Sequence, residues 1–288
     1  MAPVSSAVVA DSFHPEVEVS REWYLSLLKD YRELPNSSSR IIGHIEDKEF
    51  GDLPILSVHL APQQMSKEPP IKVLITAGIH GDEPAPLLAL LAFLKKWALQ
   101  GKNVEVFAFP CVNPTGLLRR RRGTSQGYDL NRIMDPMAIS PEVRILLSAI
   151  SDINQTFDVV FDLHEDNPDV PCDFHDGGSN ATGFYVYESA RDETSRSLGH
   201  NITEAIRQLG LPIVSDPLVY GEKANKGVVF RDRSKCTRRD FERYMLMNWT
   251  SRVFIPETPT SWGLRDRVTA HEWAVEAGLC SMQHQCRR

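Results

Sequence analysis

Two histidines and a glutamate stand directly after apolar segments of the sequence. His80 and Glu83 follow the run IKVLITAGI in a His-Gly-Asp-Glu turn, and His164 follows the run VVFDL. Such runs favour strands, and open α/β sheets bind ligands at the carboxyl ends of their strands. Two imidazoles and one carboxylate are the ligand set of hydrolytic zinc sites, where a water fills the fourth position. We therefore expect one divalent metal ion per chain, Zn²⁺ in preference to iron, bound by these three residues.

The His-Gly-Asp-Glu turn also has an interpretation that involves no metal. Glu83 immediately precedes a predicted helix, whose N-terminus favours a negative charge, and His80 would then be an ordinary hydrogen-bonded turn residue. A second histidine at another strand end favours the metal site, because both strands then deliver ligands to the same edge. A zinc site built from thiolates is not indicated, since the five cysteines contain no Cys-x-x-Cys pair.

A third apolar segment, FIP, is followed by Glu257. A carboxylate beside an attacking water can take its proton and pass it to the leaving amine, which is the acid–base step of amide hydrolysis. Taken alone, Glu257 would be interpreted as a solvated acid, but three polar strand ends in one chain favour the catalytic role. Three further acids stand beside His164, namely Asp162, Glu165 and Asp166. They could accept hydrogen bonds from the ligands or could simply be polar residues at a strand end, and the second interpretation is preferred for Asp166.

Arginines cluster between the first two features, in the segment 113–132 with the sequence NPTGLLRRRRGTSQGYDLNR. Four consecutive arginines, and a second basic cluster over 231–239, are typical of solvated or nucleic-acid-facing surfaces. The net charge of -6 weakens that interpretation, because the chain as a whole does not attract phosphate backbones. A guanidinium can instead bind a substrate carboxylate or stabilise the oxyanion of a tetrahedral intermediate. We therefore expect a small anionic amide or peptide as the partner, and neither a nucleic acid nor a membrane.

Length and composition bound the domain organisation. The 288 residues, 42% of them hydrophobic, suffice for one sizeable core. The longest apolar run, 87–94, is much shorter than the roughly 20 residues that cross a bilayer, and the first residues lack the basic start of a secretory signal. We expect a soluble cytoplasmic protein with a loosely ordered segment 1–15 and one catalytic domain over 16–288.

Apolar and β-branched runs alternate with helical segments, which is typical of an α/β protein. The pattern predicts a mixed, largely parallel sheet with helices on both faces. Strands are predicted over 55–60, 71–79, 104–110, 159–163, 184–187 and 252–255, and helices over 21–31, 84–99, 141–155, 190–209, 238–248 and 264–279. The three polar strand ends then fall on one edge of the sheet.

Four motifs in order resemble those of the zinc carboxypeptidase superfamily, in particular the branch with succinylglutamate desuccinylase, aspartoacylase and murein peptide amidase. The motifs are HGDE, NPTG followed by an arginine and DLNR, DLHE, and ETP, and they extend from His80 to Pro259. The resemblance implies a single zinc-carboxypeptidase-like domain. It also implies that His80, Glu83 and His164 bind zinc and that Glu257 is the general base. Arg122 would place its guanidinium on the scissile carbonyl, and Asn131 and Arg132 would bind a substrate carboxylate.

The resemblance selects Arg122 among the four arginines, because it places this residue a short fixed interval before the Asn-Arg pair, here 131 - 122 = 9 residues. No register assigns the substrate-binding tyrosine of the carboxypeptidases. Tyr220 and Tyr244 are alternatives, although a packed or surface tyrosine is the preferred interpretation of each. We expect specificity to come from loops, for which 166–180 and 231–239 are the candidates.

The implied activity is zinc-dependent hydrolysis of an amide bond near a free carboxylate in a small peptide or peptide-like substrate. An N-acyl-amino-acid deacylase of the aspartoacylase type is an alternative among enzymes, since both would share the metal core. A non-catalytic binding protein on the same fold is the alternative from another class. The presence of Glu257 disfavours it, because a pure binder needs no general base. The sequence leaves the exact substrate and the oligomeric state open.

Overall fold

The computed structural model describes residues 18–62, 68–100, 103–166, 181–191, 198–231 and 239–285. The predicted flexible segment 1–15 lies outside the described residues, as do residues 167–180 of the first specificity loop and 232–238 of the second. The expectations for those segments stay predictions.

All described strands belong to one mixed sheet. The strands are β1 (Ser37–Asp47), β2 (Gly51–Leu60), β3 (Ile71–Thr76), β4 (Val104–Phe109), β5 (Val159–Asp162), β6 (His164–Asp166), β7 (Tyr185–Ala190), β8 (Leu218–Val219), β9 (Glu222–Asn225), β10 (Val228–Phe230) and β11 (Arg252–Pro259). Their order in the sheet is β1-β2-β4-β3-β5-β11-β7-β10-β9-β8, with β6 paired to β11. The pairings of β3 with β4 and β5, of β11 with β5 and β6, and of β7 with β10 are parallel. The remaining pairings, including that of β11 with β7, are antiparallel.

Helices cover both faces of this sheet. The α-helices are α1 (Arg21–Arg32), α2 (Ala85–Gln100), α3 (Pro114–Arg119), α4 (Pro141–Ile153), α5 (Gly199–Gln208), α6 (Phe241–Asn248) and α7 (Leu264–Gln285), and a 3₁₀ turn spans Leu130–Arg132. Polar side chains cap several N-termini, since Ser20, Asn113 and Asp240 accept hydrogen bonds from the first turns of α1, α3 and α6.

Alternation along the strands divides the core in two. In β3, Val73 and Ile75 belong to the part of the core that also contains residues of α1, α2, α5 and α7, whereas Leu74 between them belongs to the part that contains residues of α4 and α6. Successive side chains of a strand point to opposite faces, so a continuously apolar strand such as β3 has to be covered on both sides. This arrangement confirms the predicted α/β class with helices on both faces.

The structure differs from the predicted elements mainly at the edges of the sheet. β1 was not predicted, because its polar sequence SSSRIIGHIED alternates only partly and is half exposed. The predicted helix 190–209 begins at Gly199 in the structure, and Ala190 ends β7 instead. The last helix continues six residues beyond the predicted end at 279, to Gln285. No described helix is both long and apolar enough to cross a membrane.

Candidate active site

Three predicted metal ligands converge in a buried group. Ligand atoms of His80, Glu83 and His164 all lie within 4.8 Å of one another. Nδ1 of His80 is 2.7 Å from Oε1 of Glu83, and Nδ1 of His164 is 2.9 Å from Oε2 of the same carboxylate. The two imidazoles therefore present the same ring nitrogen to one carboxylate, which is a compact donor set for a small divalent cation.

Each imidazole also has a second carboxylate behind it. Nε2 of His164 lies 2.9 Å from Oδ2 of Asp162, and Thr76 donates a 2.6 Å hydrogen bond to the other oxygen of that acid. Nε2 of His80 lies 3.3 Å from Oδ1 of Asp129, an ion-pair contact without hydrogen-bond geometry. Metal-ligating histidines commonly give their second ring nitrogen to a carboxylate, which fixes the tautomer and leaves the first nitrogen free to ligate.

The turn that carries His80 and Glu83 is held against α3 by close backbone contact. A Cβ atom at Gly81 would lie 2.0 Å from the carbonyl carbon of Gly116, so only glycine fits between the two motifs. Asn113 stabilises the same contact, because its side chain accepts a hydrogen bond from the Gly116 amide and donates to the carbonyl of Ile79. These contacts explain why the HGDE and NPTG motifs contain glycine and asparagine at these positions.

Glu257 lies opposite a predicted ligand in the sheet. β11 pairs with β6 so that Glu257 is the register partner of His164, and on its other side Glu257 pairs with Tyr185 of β7. Burial raises the pKa of Glu257 well above its usual range, although His164 and Arg122 act in the opposite direction. The carboxylate of Glu257 is therefore a stronger proton acceptor than that of a solvent-exposed glutamate, which suits a general base.

Arg122 lies beside the ligand group, as predicted. Its Nη1 atom is 3.3 Å from Nδ1 of His80 and 3.9 Å from Oε1 of Glu83, and its Nε atom donates a 2.9 Å hydrogen bond to Asp129. The main chain of the same arginine is also fixed, since its carbonyl accepts a hydrogen bond from Asn113. The side chain is 39% exposed, so its guanidinium is accessible from outside the buried group.

Asn131 and Arg132 lie on the 3₁₀ turn at the edge of the same region. The side-chain nitrogen of Asn131 is 3.4 Å from Nε2 of His164, and its side-chain oxygen accepts a 2.8 Å hydrogen bond from the amide of Phe241 at the start of α6. Arg132 donates to the carbonyl of Asn131. Burial alone would raise the pKa of Asp129, but His80, Arg122 and Arg132 hold that pKa well below its usual range. All seven predicted residues thus occur in one region, and their roles toward a substrate stay predictions.

The charges of the site favour a cation among the ligands. Burial alone would raise the pKa of Glu83, but His80 and His164 outweigh it and hold that pKa well below its usual range. Burial alone would lower the pKa of His164, but Asp162 and Glu83 raise it well above its usual range. An environment that stabilises a proton on an imidazole also attracts a metal ion, which competes for the same nitrogen.

Sequence reasoning overlooked several residues that support this site. Asp129 is part of the DLNR motif, two residues before Asn131, but no role was predicted for it. Arg267 and His271 of α7 carried no signal, because their partners are far away in sequence. Asp166 was interpreted as only a polar strand-end residue, but it is buried and accepts hydrogen bonds from Tyr185 and Tyr220.

Comparison with known proteins identifies the family. Residues 69–217 match the model of the succinylglutamate desuccinylase/aspartoacylase catalytic domain. This match covers more than half of the chain, and the chain belongs to that family. The match and the buried histidine–glutamate group together support a metallohydrolase.

A known protein and two solved structures are also similar to this chain. Carboxypeptidase SOL1 of Arabidopsis thaliana is 23% identical over 222 residues, which are 68% of this chain and 44% of that protein, so the chain spans less than half of the relative's length. A metallopeptidase candidate from Shewanella amazonensis SB2B superposes with a TM-score of 0.70 at 25% identity, covering 90% of this chain and 91% of that one. The metallo-carboxypeptidase of Burkholderia cenocepacia shares the fold, with a TM-score of 0.62 at 19% identity over 92% of this chain and 70% of that one.

Proposed function

We propose that the protein is a zinc-dependent hydrolase that cleaves an amide bond near a free carboxylate in a small peptide or peptide-like substrate. The observation that carries the proposal is the register of β11 and β6, which sets Glu257 opposite His164 in the buried ligand group. A carboxylate at this position has no use in a structural metal site, whereas hydrolysis requires a proton acceptor there. The proposal includes a small anionic partner and a cytoplasmic location.

The donor set fits zinc. The two Nδ1 atoms and the Glu83 carboxylate are nitrogen and oxygen donors of the kind that zinc binds in catalytic sites with three protein ligands. His80, Glu83 and His164 would hold the ion, and Asp162 and Asp129 would orient the two imidazoles. Zinc in such a site supplies Lewis acidity, which lowers the pKa of water to about 7.

Glu257 moves the proton in the proposed reaction. Its carboxylate accepts a proton from the attacking water and then donates it to the nitrogen of the departing amine. Burial raises the pKa of Glu257 and so makes its carboxylate a better proton acceptor, which allows the same group to hold the proton between the two steps.

The arginines and Asn131 act on the substrate. Arg122 donates hydrogen bonds to the oxyanion that develops on the scissile carbonyl, in a position fixed by Asp129 and by the carbonyl contact with Asn113. Arg132 and Asn131 bind the free carboxylate, and so set the distance between the carbonyl and Glu257 before the reaction.

The family match favours a second candidate, an N-acyl-amino-acid deacylase, because the matching family contains desuccinylase and aspartoacylase domains. Both candidates use the same ligands and base, and they differ in the bond that is cut and in the groups around it.

The experiment that tests the proposal combines metal analysis with substrate screening. The purified protein, loaded with zinc and freed of excess metal, is incubated with a panel of short peptides and of N-acyl amino acids, and products are identified by mass spectrometry. We expect one zinc per chain and release of a C-terminal residue from peptides. Release of a free carboxylic acid from N-acyl amino acids would favour the deacylase instead. Bound zinc without turnover of any substrate would favour a binding protein on this fold.

A further inference from the structure

A second pair of residues lies directly behind the predicted ligand and base. In the register of β6 and β11, Glu165 is the partner of Thr258, just as His164 is the partner of Glu257. Because successive side chains alternate between the faces of a sheet, the pair Glu165–Thr258 faces away from the ligand group. Both residues are buried.

Glu165 joins the two segments that carry the ligands. One of its carboxylate oxygens accepts a 2.9 Å hydrogen bond from the amide of Ala85, two residues after Glu83, and the other accepts from Nη1 of Arg267. Burial raises the pKa of Glu165 to about 7, although Arg267 lowers it. A buried carboxyl group with two donors in fixed directions holds the strand of His164 against the first turn of α2.

Thr258 has an equivalent partner on the same helix. Its hydroxyl lies 3.0 Å from Nε2 of His271, whose ring is fully buried. Arg267 and His271 are four residues apart on α7, so they project from one face of that helix. One face of α7 therefore contacts the strand of the predicted ligand through Glu165 and the strand of the predicted base through Thr258.

We propose that Arg267 and His271 are positioning residues, which keep β6 and β11 in the register that sets His164 opposite Glu257. This inference rests on the proposed function. β6 has only three residues and β11 carries the base near its end, so few main-chain hydrogen bonds hold the two strands at this point. Polar contacts from α7 supply the missing restraint on the relative position of ligand and base.

The chemistry of the contacts favours positioning over stabilisation. A buried ion pair typically adds little stability compared with apolar residues of the same volume, whereas charge-assisted hydrogen bonds in fixed directions hold two groups in one geometry. Displacement of supporting residues behind a metal site typically weakens metal binding by roughly 10- to 100-fold. Arg267 should therefore affect metal affinity, and the contact between His271 and Thr258 should affect turnover.

The test uses the full-length protein with four single variants. Zinc affinity is measured by competition with a chromophoric chelator, and kcat and KM are measured on the best substrate of the wild type. Arg267→Met should weaken zinc binding at least about tenfold. Thr258→Val should retain full zinc occupancy and lower kcat about tenfold with little change in KM, and Thr258→Ser, which keeps the hydroxyl, should restore kcat. Arg265→Met is the matched control, because Arg265 lies on the same helix but is exposed, and it should behave like the wild type.

A double variant guards against a fold defect in Arg267→Met. Glu165→Gln with Arg267→Met removes the charge pair but keeps an acceptor for the Ala85 amide, and it should also bind zinc more weakly. Wild-type zinc affinity in both Arg267 variants, together with wild-type kcat in Thr258→Val, would overturn the inference even if melting temperatures fall. If the wild type binds zinc but hydrolyses no substrate, amide hydrolysis is refuted, and the zinc affinities of the Arg267 variants still decide whether α7 positions the ligand. A wild type that binds no zinc would overturn both proposals.

Discussion

Glu83 is the central residue of the ligand group. A buried carboxylate without partners is strongly disfavoured, and here two imidazoles at 2.7 and 2.9 Å compensate its charge. The same contacts make the group sensitive to charge, because each imidazole is itself flanked by a second acid. The Glu83 carboxylate and the two ring nitrogens that face it thus form a donor set suited to a divalent cation.

Replacement of the proposed base tests its role separately from metal binding. Glu257→Gln preserves the shape of the side chain but cannot accept a proton, so we expect kcat to fall by about 10²- to 10⁴-fold. Zinc content should be unchanged, since Glu257 is not one of the three proposed ligands. Steady-state kinetics and elemental analysis measure the two quantities. Glu46→Gln, at an exposed position of β1, serves as the control. A Glu257→Gln protein that keeps wild-type kcat would exclude this residue as the base.

The elements that carry the site are short and depend on close contacts with one another. The His80–Glu83 turn, α3 and β6 contain few residues each, so their positions derive from packing rather than from internal stability. The contact of Gly81 with Gly116 is the tightest of these, because it brings two backbones together without any side chain between them.

Substitution at Gly81 should separate the two motifs. In Gly81→Ala the new methyl group would meet the backbone of Gly116 and Leu117 at 2.0 and 2.2 Å, which requires the turn to move. We expect a loss of about 1–3 kcal/mol of unfolding free energy, as for other overpacked sites, and at least tenfold weaker zinc binding. Chemical denaturation and chelator competition measure these effects. Gly263→Ala is the control, since a Cβ atom there has no neighbour within 4 Å. Equal zinc affinity in the two variants would contradict the role given to the contact.

The β1–β2 hairpin is tied to α3 by Asp47, and this contact predicts a pH-dependent stability. Burial alone would raise the pKa of Asp47, but hydrogen bonds from Arg119 and from the amides of Glu49 and Phe50 lower it from 3.8 to about 2. A folded-state pKa below the unfolded value stabilises the protein above pH 3.8, and this contribution is lost as the pH falls through 2. The shift corresponds to about 2 kcal/mol at pH 7 and to about half of that at pH 3.

Asp47→Asn should therefore lower the unfolding free energy by about 2 kcal/mol at pH 7, and by less at pH 3. Urea denaturation at the two pH values measures the difference. Asp216→Asn, at an exposed loop position, should show no such dependence. A penalty that is the same at both pH values would show that the charge of Asp47 does not matter.

In the whole molecule, the site joins segments from distant parts of the chain. The ligand group connects the turn before α2 to β6, and α7 contacts β6 through the bond of Arg267 to Glu165. Metal binding should therefore stabilise the entire fold rather than one loop, because the donor set exists only when those segments are assembled.

Metal removal should lower the melting temperature. At free zinc about 1,000-fold above the dissociation constant, binding to the folded state contributes about 4 kcal/mol, which corresponds to a shift of roughly 8 °C in a protein of this size. Calorimetry before and after chelation, followed by addition of zinc, measures the effect. The variant Glu83→Gln should lose the response. An identical melting temperature with and without zinc would argue against a metal site that spans these segments.

Much of the fold and of the ligand set could be predicted from the sequence. Apolar runs and the alternation of apolar with polar residues predicted β3, β5 and the buried helix α2, because a face that is buried consists mainly of apolar residues. His80 and Glu83 are three residues apart in one turn, so their proximity is a local property. The order of the four motifs then linked them to His164, Glu257 and the arginines.

Other features followed from the assembled fold and left no local trace. β1 was missed because its sequence is polar, and its conformation is stabilised by pairing with β2. The roles of Arg267 and His271 depend on the packing of α7 against β6 and β11. Arg267 and its partner Glu165 are more than a hundred residues apart in the sequence. Residue types and their periodicity indicate which face of a segment is buried. The segment that packs against this face is determined by contacts between distant parts of the chain. The strand ends were therefore predictable from the chain, whereas the register of His164 with Glu257 and its support by α7 arise only in the folded protein.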